Sequence, residues 1–255
     1  MSANPNATIS PETPHGAHGC SLQRIVRPSS LVPYYDEDGI TIYLGDNRTL
    51  LRAMPKCDLL LTDPPYGLKW SGTGFKKQPL LNHREAAEWD EKPDRETLEA
   101  AMQLCKGRVV WGGNYLSDML PPCEGPLIWD KMTGNNSFAD GEMAWSDIVG
   151  TMRIFRHQWC GAFKDSERGE RSVHPTQKPV ALMSWCISKA KDPKTILDPW
   201  MGSGTTLVAA KERGLRAIGI EANEAYCKLA IARLAQGVLW RPNNNRTGWS
   251  SIDLK

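Results

Sequence analysis

The sequence has almost no net charge: 31 Lys and Arg stand against 29 Asp and Glu in 255 residues, a formal +2 at pH 7. So close a balance does not by itself argue for a nucleic-acid partner. No apolar run approaches the roughly 20 residues that a membrane-crossing helix needs. The first residues lack the charged-then-apolar order of a secretory signal. The seven cysteines are scattered and form no Cys-x-x-Cys pair. An odd, dispersed set points to reduced thiols in a cytoplasm. His15, His18 and Cys20 lie in an aperiodic stretch, and no metal is expected there. No internal repeat is present. Gly72-Thr73-Gly74-Phe75-Lys76-Lys77 is not a P-loop, because the Gly-Lys-Ser/Thr ending is missing.

What is present is a chain long enough for a sizeable core, as one large α/β domain or two small ones. Residues 1–33 are rich in Ser, Pro, Asn and Gly and are expected to form a tail. Residues 239–255 are expected to form a second, polar tail, leaving a single domain over 34–238. Ten tryptophans is a high count, enough to fill a core and to leave some for stacking on bases. Short apolar runs predict strands at Ile40–Leu44, Cys57–Asp63, Arg108–Trp111, Pro126–Asp130, Thr195–Leu197 and Arg216–Ile220. Asp36–Gly39 reads as a turn. Glu142–Ile148 and Thr151–His157, parted by Gly150, predict a hairpin. Helices are expected over Asn47–Met54, over Arg95–Cys105 capped by Asp94, over Val180–Lys191 opened by Pro179, from Thr205 to about Arg213, and over Glu224–Gln236 capped by Asn223. Strands alternating with helices predict an α/β fold.

The strand Cys57–Asp63 ends abruptly in Asp63-Pro64-Pro65-Tyr66. Prolines cannot donate to a sheet ladder, so the strand stops in a rigid turn. Open α/β sheets place ligands at such carboxyl ends. Asp63 offers an anionic acceptor and Pro64 a carbonyl in a fixed direction, while Pro65 stiffens the turn and Tyr66 adds a flat ring. Together these suit a planar group carrying an NH2, such as the exocyclic amine of a nucleobase. Two acceptors on its N–H bonds favour a tetrahedral nitrogen, free its lone pair for attack and stabilise the charge that develops.

A second pattern follows later in the chain. A strand leads into Asp198-Pro199-Trp200-Met201-Gly202-Ser203-Gly204-Thr205-Thr206, then a helix, a strand and Glu221. Gly202 and Gly204 allow close approach of a ligand to the backbone. The helix opening at Thr205 favours an anion, and Glu221, seventeen residues after Gly204, is placed to hold ribose hydroxyls. The third glycine of a dinucleotide fingerprint is absent, its place being taken by Leu207. A nucleoside without a pyrophosphate fits better, and S-adenosylmethionine is one. Its ribose would go to Glu221, its adenine to Asp46, and its amino-acid end to the glycine loop with Thr176 or Lys178.

In their order these motifs resemble the amino-group DNA methyltransferases of the permuted "beta" arrangement, in which the catalytic turn precedes the cofactor loop. Gly45-Asp46, Asp63–Tyr66, His174–Pro179, Asp198–Thr206 and Glu221 carry the resemblance, which spans about residues 38–238. Trp200 stands where the family usually has Phe. The resemblance implies a doubly wound, mostly parallel sheet of seven strands with helices on both faces. It implies S-adenosylmethionine as methyl donor and a DNA base flipped out of the duplex, and it leaves a homodimer open. It makes Asp63 and the Pro64 carbonyl the grip on the target amine and Tyr66 the stacking ring. The Asp of the turn favours adenine N6, since the cytosine-N4 enzymes more often carry Ser there. A restriction-modification role in a bacterial or virus-infected cell is the expected setting. Lys69, Lys76 and Lys77 in the 67–90 loop, and Arg153, Arg156, Arg168 and Arg171 in or beside a short target-recognition segment at 142–173, are the candidate phosphate contacts. A cytosine-N4 DNA methyltransferase and a catalytically idle DNA- or cofactor-binding protein are competing readings, as is an RNA or protein amide methyltransferase. The latter usually carry Asn-Pro-Pro-Tyr.

Overall fold

The computed structural model describes residues 31–68, 91–133, 139–160, 163–166 and 177–236. Its strands are β1 (Tyr35–Glu37), β2 (Ile40–Leu44), β3 (Cys57–Thr62), β4 (Cys105–Trp111), β5 (Leu127–Asp130), β6 (Gly141–Ser146), β7 (Arg153–Arg156), β8 (Trp159–Cys160), β9 (Phe163–Lys164), β10 (Thr195–Asp198) and β11 (Arg216–Glu221). The α-helices are α1 (Asn47–Leu50), α2 (Arg95–Gln103), α3 (Val180–Lys189), α4 (Thr205–Glu212) and α5 (Glu224–Ala235). Nine strands form one sheet in the order β1-β2-β11-β10-β3-β4-β6-β5-β7, and β8 and β9 pair separately. Five of the eight neighbouring pairs are parallel.

The sheet is buried on both sides because its central strands are apolar at successive positions. In β3, Leu59 and Leu61 point to one face and Leu60 to the other, the period-two alternation of a pleated strand. The first face packs under α3, α4 and α5 through Leu182, Leu207, Ala230 and their neighbours. The second packs under α2 through Leu98, Ala101 and Met102. Trp111 and Trp129 are wholly or almost wholly buried, which accounts for part of the tryptophan content.

Nine strands, rather than the expected seven, result from short additions at both edges. At one edge, Asp38 and Gly39 both have positive φ (51° and 80°), the geometry of a tight hairpin turn, and Tyr35–Glu37 becomes a strand ahead of it. At the other edge the expected hairpin of Glu142–Ile148 with Thr151–His157 does not form. β5 lies between β6 and β7, antiparallel to the first and parallel to the second. The crossover between β6 and β7 presses on Gly125, where a Cβ would meet the Val149 carbonyl oxygen at 1.9 Å. That contact carries the chain across the start of β5, and the Trp129 indole fixes the far side by donating to the His157 carbonyl at 2.9 Å. Strand β4 begins at Cys105, three residues before the expected start, and Pro179 caps α3 rather than opening it.

Asp58 locks the amino ends of β3 and β10 together. Its carboxylate accepts from the Lys194 and Thr195 backbone N–H groups at 3.0 and 3.1 Å, and from the Thr195 hydroxyl at 3.0 Å. Burial alone would raise its pKa, but Lys106, at 2.7 Å, and these donors outweigh it and hold the group at about 2. A carboxyl with a depressed folded pKa stabilises the fold above its ordinary value and loses that contribution as pH falls towards 2. Unfolding followed by urea titration at pH 7 and pH 3 is therefore expected to show a stability loss at pH 3 that is smaller in Asp58→Asn than in the parent.

Candidate functional site

Strands β2, β11, β10, β3 and β4 run parallel, so their carboxyl ends share one rim of the sheet. The catalytic-turn candidate leaves β3 and the glycine loop leaves β10, and these two strands are direct neighbours. Two hydrogen bonds tie the end of β10 and the glycine loop to neighbouring elements, one to β3 and one to α1. The Thr62 hydroxyl donates to Asp198 Oδ1 at 2.7 Å, and the Asn47 amide donates to the Pro199 carbonyl at 3.1 Å. Asp198 is 2% exposed, and burial raises its carboxyl to about 7 despite the Thr62 and Thr206 hydroxyls and the Trp200 N–H. It therefore acts as a tie between the two strand ends rather than as an open surface group.

The turn itself is held from three sides. The Tyr66 hydroxyl donates to Asp63 Oδ1. The Tyr66 ring stacks on Tyr115, with centroids 5.0 Å apart and planes 25° apart. Gly112, at φ +73°, lies so close that a Cβ there would stand 2.0 Å from the ring. Lys178, whose side chain is 3% exposed, places its ammonium 2.6 Å from Asp63 Oδ2, 3.1 Å from Glu142 Oε2 and 3.2 Å from the Tyr66 oxygen. Glu142 in turn pairs with Lys131 at 2.5 Å, and Lys131 lies over the Trp129 ring. Burial opposes the charge on Lys178, but Asp63, Glu142 and Tyr66 outweigh it and raise its pKa well above the ordinary lysine value. Burial likewise opposes the charge on Glu142, yet Lys178 and Lys131 hold it at about 2. Asp63 is shifted upwards, by burial first, with the Glu142 charge adding to it and Lys178 pulling the other way. Burial and the Asp63 charge raise Tyr66 well above its ordinary value, so it remains a neutral donor.

At the glycine loop, Gly202 has φ +50° and an added Cβ would meet nothing within 4 Å, so this backbone faces open space. Its N–H donates to Glu221 Oε2 at 3.0 Å, and the Asn223 N–H donates to Oε1 at 2.8 Å. Burial raises the Glu221 pKa, while these N–H groups pull it down. Asp46 lies two residues past the end of β2, on the strand paired with β11, and caps α1 through the Arg48 N–H at 2.9 Å. Its hydrogen bonds with Arg48 lower its pKa. Two carboxylates thus sit at neighbouring strand ends beside an open glycine backbone, and this pair of acceptors fits the hydroxyls of a ribose and the amine of a base.

Several expected roles change when the side chains are seen in place. Lys178 is directed to the catalytic turn and not to the glycine loop. Ser203 and Thr205 are buried, and their hydroxyls accept from Arg233 on α5 at 3.1 and 3.0 Å. Gly204, in left-handed conformation, caps α4 and packs on Ala230, where a Cβ would stand 2.7 Å from that side chain. Pro64 is buried, and Pro65 and Tyr66 are half-buried. Arg153 and Arg156 are exposed on edge strand β7, four strands from β3 and so about 19 Å away at the usual strand spacing. Arg156 pairs with Asp130 at 3.3 Å. Thr176, Lys69, Lys76, Lys77, Arg168 and Arg171 lie outside the described residues. The sequence places the strand ends at Gly112 and Lys131 on this rim without giving either a role, and it gives no sign of Glu142, Tyr115, Asn47 or Arg233 as site residues. Gly112 and Gly113 at the end of β4 are a usable signal, because paired glycines at a strand end mark close approach. Glu142 has no local signal: it reaches the rim only because β6 runs antiparallel and begins where its neighbours end.

The fold, with two turns adjoining at the carboxyl rim of its parallel strands, is of the α/β class that binds ligands at strand ends. Comparison with known proteins makes the class specific. A family model described as "DNA methylase" of the N6/N4 type matches residues 129–232. Type II methyltransferase M2.DpnII of Streptococcus pneumoniae is 44% identical over 247 residues, covering 79% of this chain and 92% of that protein. Type II methyltransferase M2.LlaDCHI of Lactococcus lactis subsp. cremoris is 39% identical over 264 residues, covering 82% and 94%. Among solved structures, the M1.HpyAVI complex with S-adenosylmethionine aligns with a TM-score of 0.52 at 23% identity, covering 76% of this chain and 98% of that one. PvuII DNA methyltransferase, described as cytosine-N4-specific, aligns with a TM-score of 0.55 at 16% identity, covering 84% and 91%. These two share the fold. The chain belongs to the N6/N4 DNA amino-methyltransferase family, whose methyl donor is S-adenosylmethionine.

Gly112→Ala tests the support of the turn, since it adds a Cβ within the Tyr66 ring and strains a left-handed residue. The single-turnover rate of methyl transfer is expected to fall by about 100-fold. Donor binding, followed by calorimetry, is expected to stay at the parent value.

Proposed function

We propose that this enzyme methylates the N6 amino group of adenine in duplex DNA, with Asp63, Pro64, Pro65 and Tyr66 as its catalytic turn. The observation that carries this reading is the Asp63 carboxylate at the end of β3, fixed by Tyr66 and Lys178, beside the open glycine backbone on the adjacent strand β10. A carboxylate is a stronger acceptor for an amine N–H than a serine hydroxyl.

Asp63 and the Pro64 carbonyl take the two N–H bonds of the target amine, and the Tyr66–Tyr115 pair is the stacking element for the flipped base. Glu221 and Asp46 hold the donor's ribose and adenine, and the open Gly202 backbone faces its amino-acid end. The amine lone pair forms the new N–C bond as the methyl C–S bond of the sulfonium breaks, its electrons return to sulfur, and the nitrogen then releases one proton to water. Gripping the amine before attack removes most of the orientational cost of the step. Exposed Arg153 and Arg156 are candidate phosphate contacts. Cys57, Cys105, Cys123, Cys186 and Cys227 are free thiols, in keeping with a reducing cytoplasm.

Incubation of the enzyme with methyl-labelled donor and duplex DNA, followed by nucleoside analysis, is expected to place the label on N6-methyladenine. Label on N4-methylcytosine instead would overturn the adenine assignment, and preference for RNA in competition would overturn the DNA one. Asp63→Ala is expected to abolish transfer while the donor still binds. Glu221→Gln is expected to weaken donor binding by about tenfold or more, as loss of hydrogen bonds to a charged group does. Unchanged affinity would remove Glu221 from the ribose site.

A further inference from the structure

The catalytic turn is not free in the resting protein. Tyr66 occupies one oxygen of Asp63 and Lys178 the other. An entering amine must share or displace one of these partners. Tyr66 is fixed by Tyr115 and by the close approach of Gly112, so Lys178 is the partner able to move. A buried ammonium that left Asp63 with no second anion would face a desolvation penalty of several kcal/mol. Glu142 removes that obstacle: its Oε2 already stands 3.1 Å from Lys178 Nζ. Lys131 anchors the opposite oxygen of Glu142 at 2.5 Å, so the second anion is held in place while the lysine shifts.

We infer that Glu142, anchored by Lys131, is a positioning residue for methyl transfer: it takes over the Lys178 ammonium when the target amine engages Asp63. The exchange breaks no covalent bond and keeps the two acids and two lysines electrically balanced. Nothing in the motif pattern of the chain marks Glu142 or Lys131. The inference rests on the assignment of Asp63–Tyr66 as the amine-binding turn.

The groups facing Asp63 are Tyr66 in its own turn, Lys178 ahead of α3, Glu142 on β6 backed by Lys131, and Asp198 at the end of β10. Removing the Glu142 charge leaves Lys178 wholly on Asp63, and that carboxyl then ionises at lower pH. Removing Lys131 lets Glu142 draw Lys178 away, and Asp63 then ionises at higher pH. Opposite shifts from two residues that do not touch the substrate are a signature that a loss of packing does not produce.

The test is the pH profile of the single-turnover rate with enzyme saturated in donor and DNA, for Glu142→Gln, Lys131→Met and the double variant. Glu142→Gln is expected to slow the step by about 100-fold and to move the acid limb down by about one pH unit. Lys131→Met is expected to move the limb up. The double variant is expected to match Glu142→Gln alone, because Lys131 acts only through Glu142. Donor affinity is expected to stay at the parent value; the thermal midpoint falls with the loss of a buried charge partner, and a circular-dichroism spectrum of the folded protein at the assay temperature separates the effect from misfolding. A parent-like rate and limb in Glu142→Gln, or shifts of the same sign in the two single variants, would overturn the inference while an inactive Asp63→Ala leaves the catalytic turn standing. An active Asp63→Ala would overturn the turn assignment itself.

Discussion

The site depends on one buried cation. Lys178 has almost no solvent to stabilise its charge, so the protein must supply the counter-charge itself, and it does so with Asp63 and Glu142. An unpaired ammonium at that position would cost several kcal/mol, a large part of the net stability of a domain. The same requirement draws four distant segments together: the end of β3, the start of β6, the residue after β5 and the approach to α3. The local charge balance that makes burial tolerable is also what fixes the orientation of the Asp63 carboxylate.

The second constraint is the parallel pairing of β3 with β10. Neighbouring parallel strands lie about 4.8 Å apart and end on the same rim. The turn proposed to grip the amine and the loop proposed to face the donor are therefore adjacent without any long-range hinge. The Thr62–Asp198 hydrogen bond secures the alignment at the point where the strands separate. Asp198 is raised to about 7 by its burial, so it ties the strands mainly through shape and hydrogen bonding. Arg233 supports the loop from behind by donating to the carbonyl and hydroxyl of Ser203, which leaves Gly202 to present its backbone outward.

Much of this was legible in the residues. Leu59–Leu61 between polar flanks fixes a buried strand, and the two prolines after Asp63 fix where it stops. Gly202 after Asp198 marks a backbone open to a ligand, whereas Gly204 turns out to serve helix packing against Ala230. The errors were those of topology. Two apolar stretches around Gly150 look like a hairpin because each alternates and a glycine divides them. Their true partner is β5, between them, and no local pattern reports which edge a strand will meet. The same blindness hid Glu142, since its place at the rim follows from the antiparallel direction of β6 alone. It also misdirected Lys178: next to the donor-loop motifs in sequence, it lies against the early turn in space.

The amino-acid sequence by itself determined the strand that ends in Asp63-Pro64-Pro65-Tyr66, the glycine turn, the acids at strand ends and the family to which their order belongs. These are local properties, set by backbone freedom, hydrogen-bonding capacity and apolar periodicity within a few residues. The tertiary structure alone decided which charges neutralise one another. Coulomb attraction depends on distance in space and on exclusion of water, and neither the 36-position separation of Glu142 and Lys178 nor the 115-position separation of Asp63 and Lys178 foretells it.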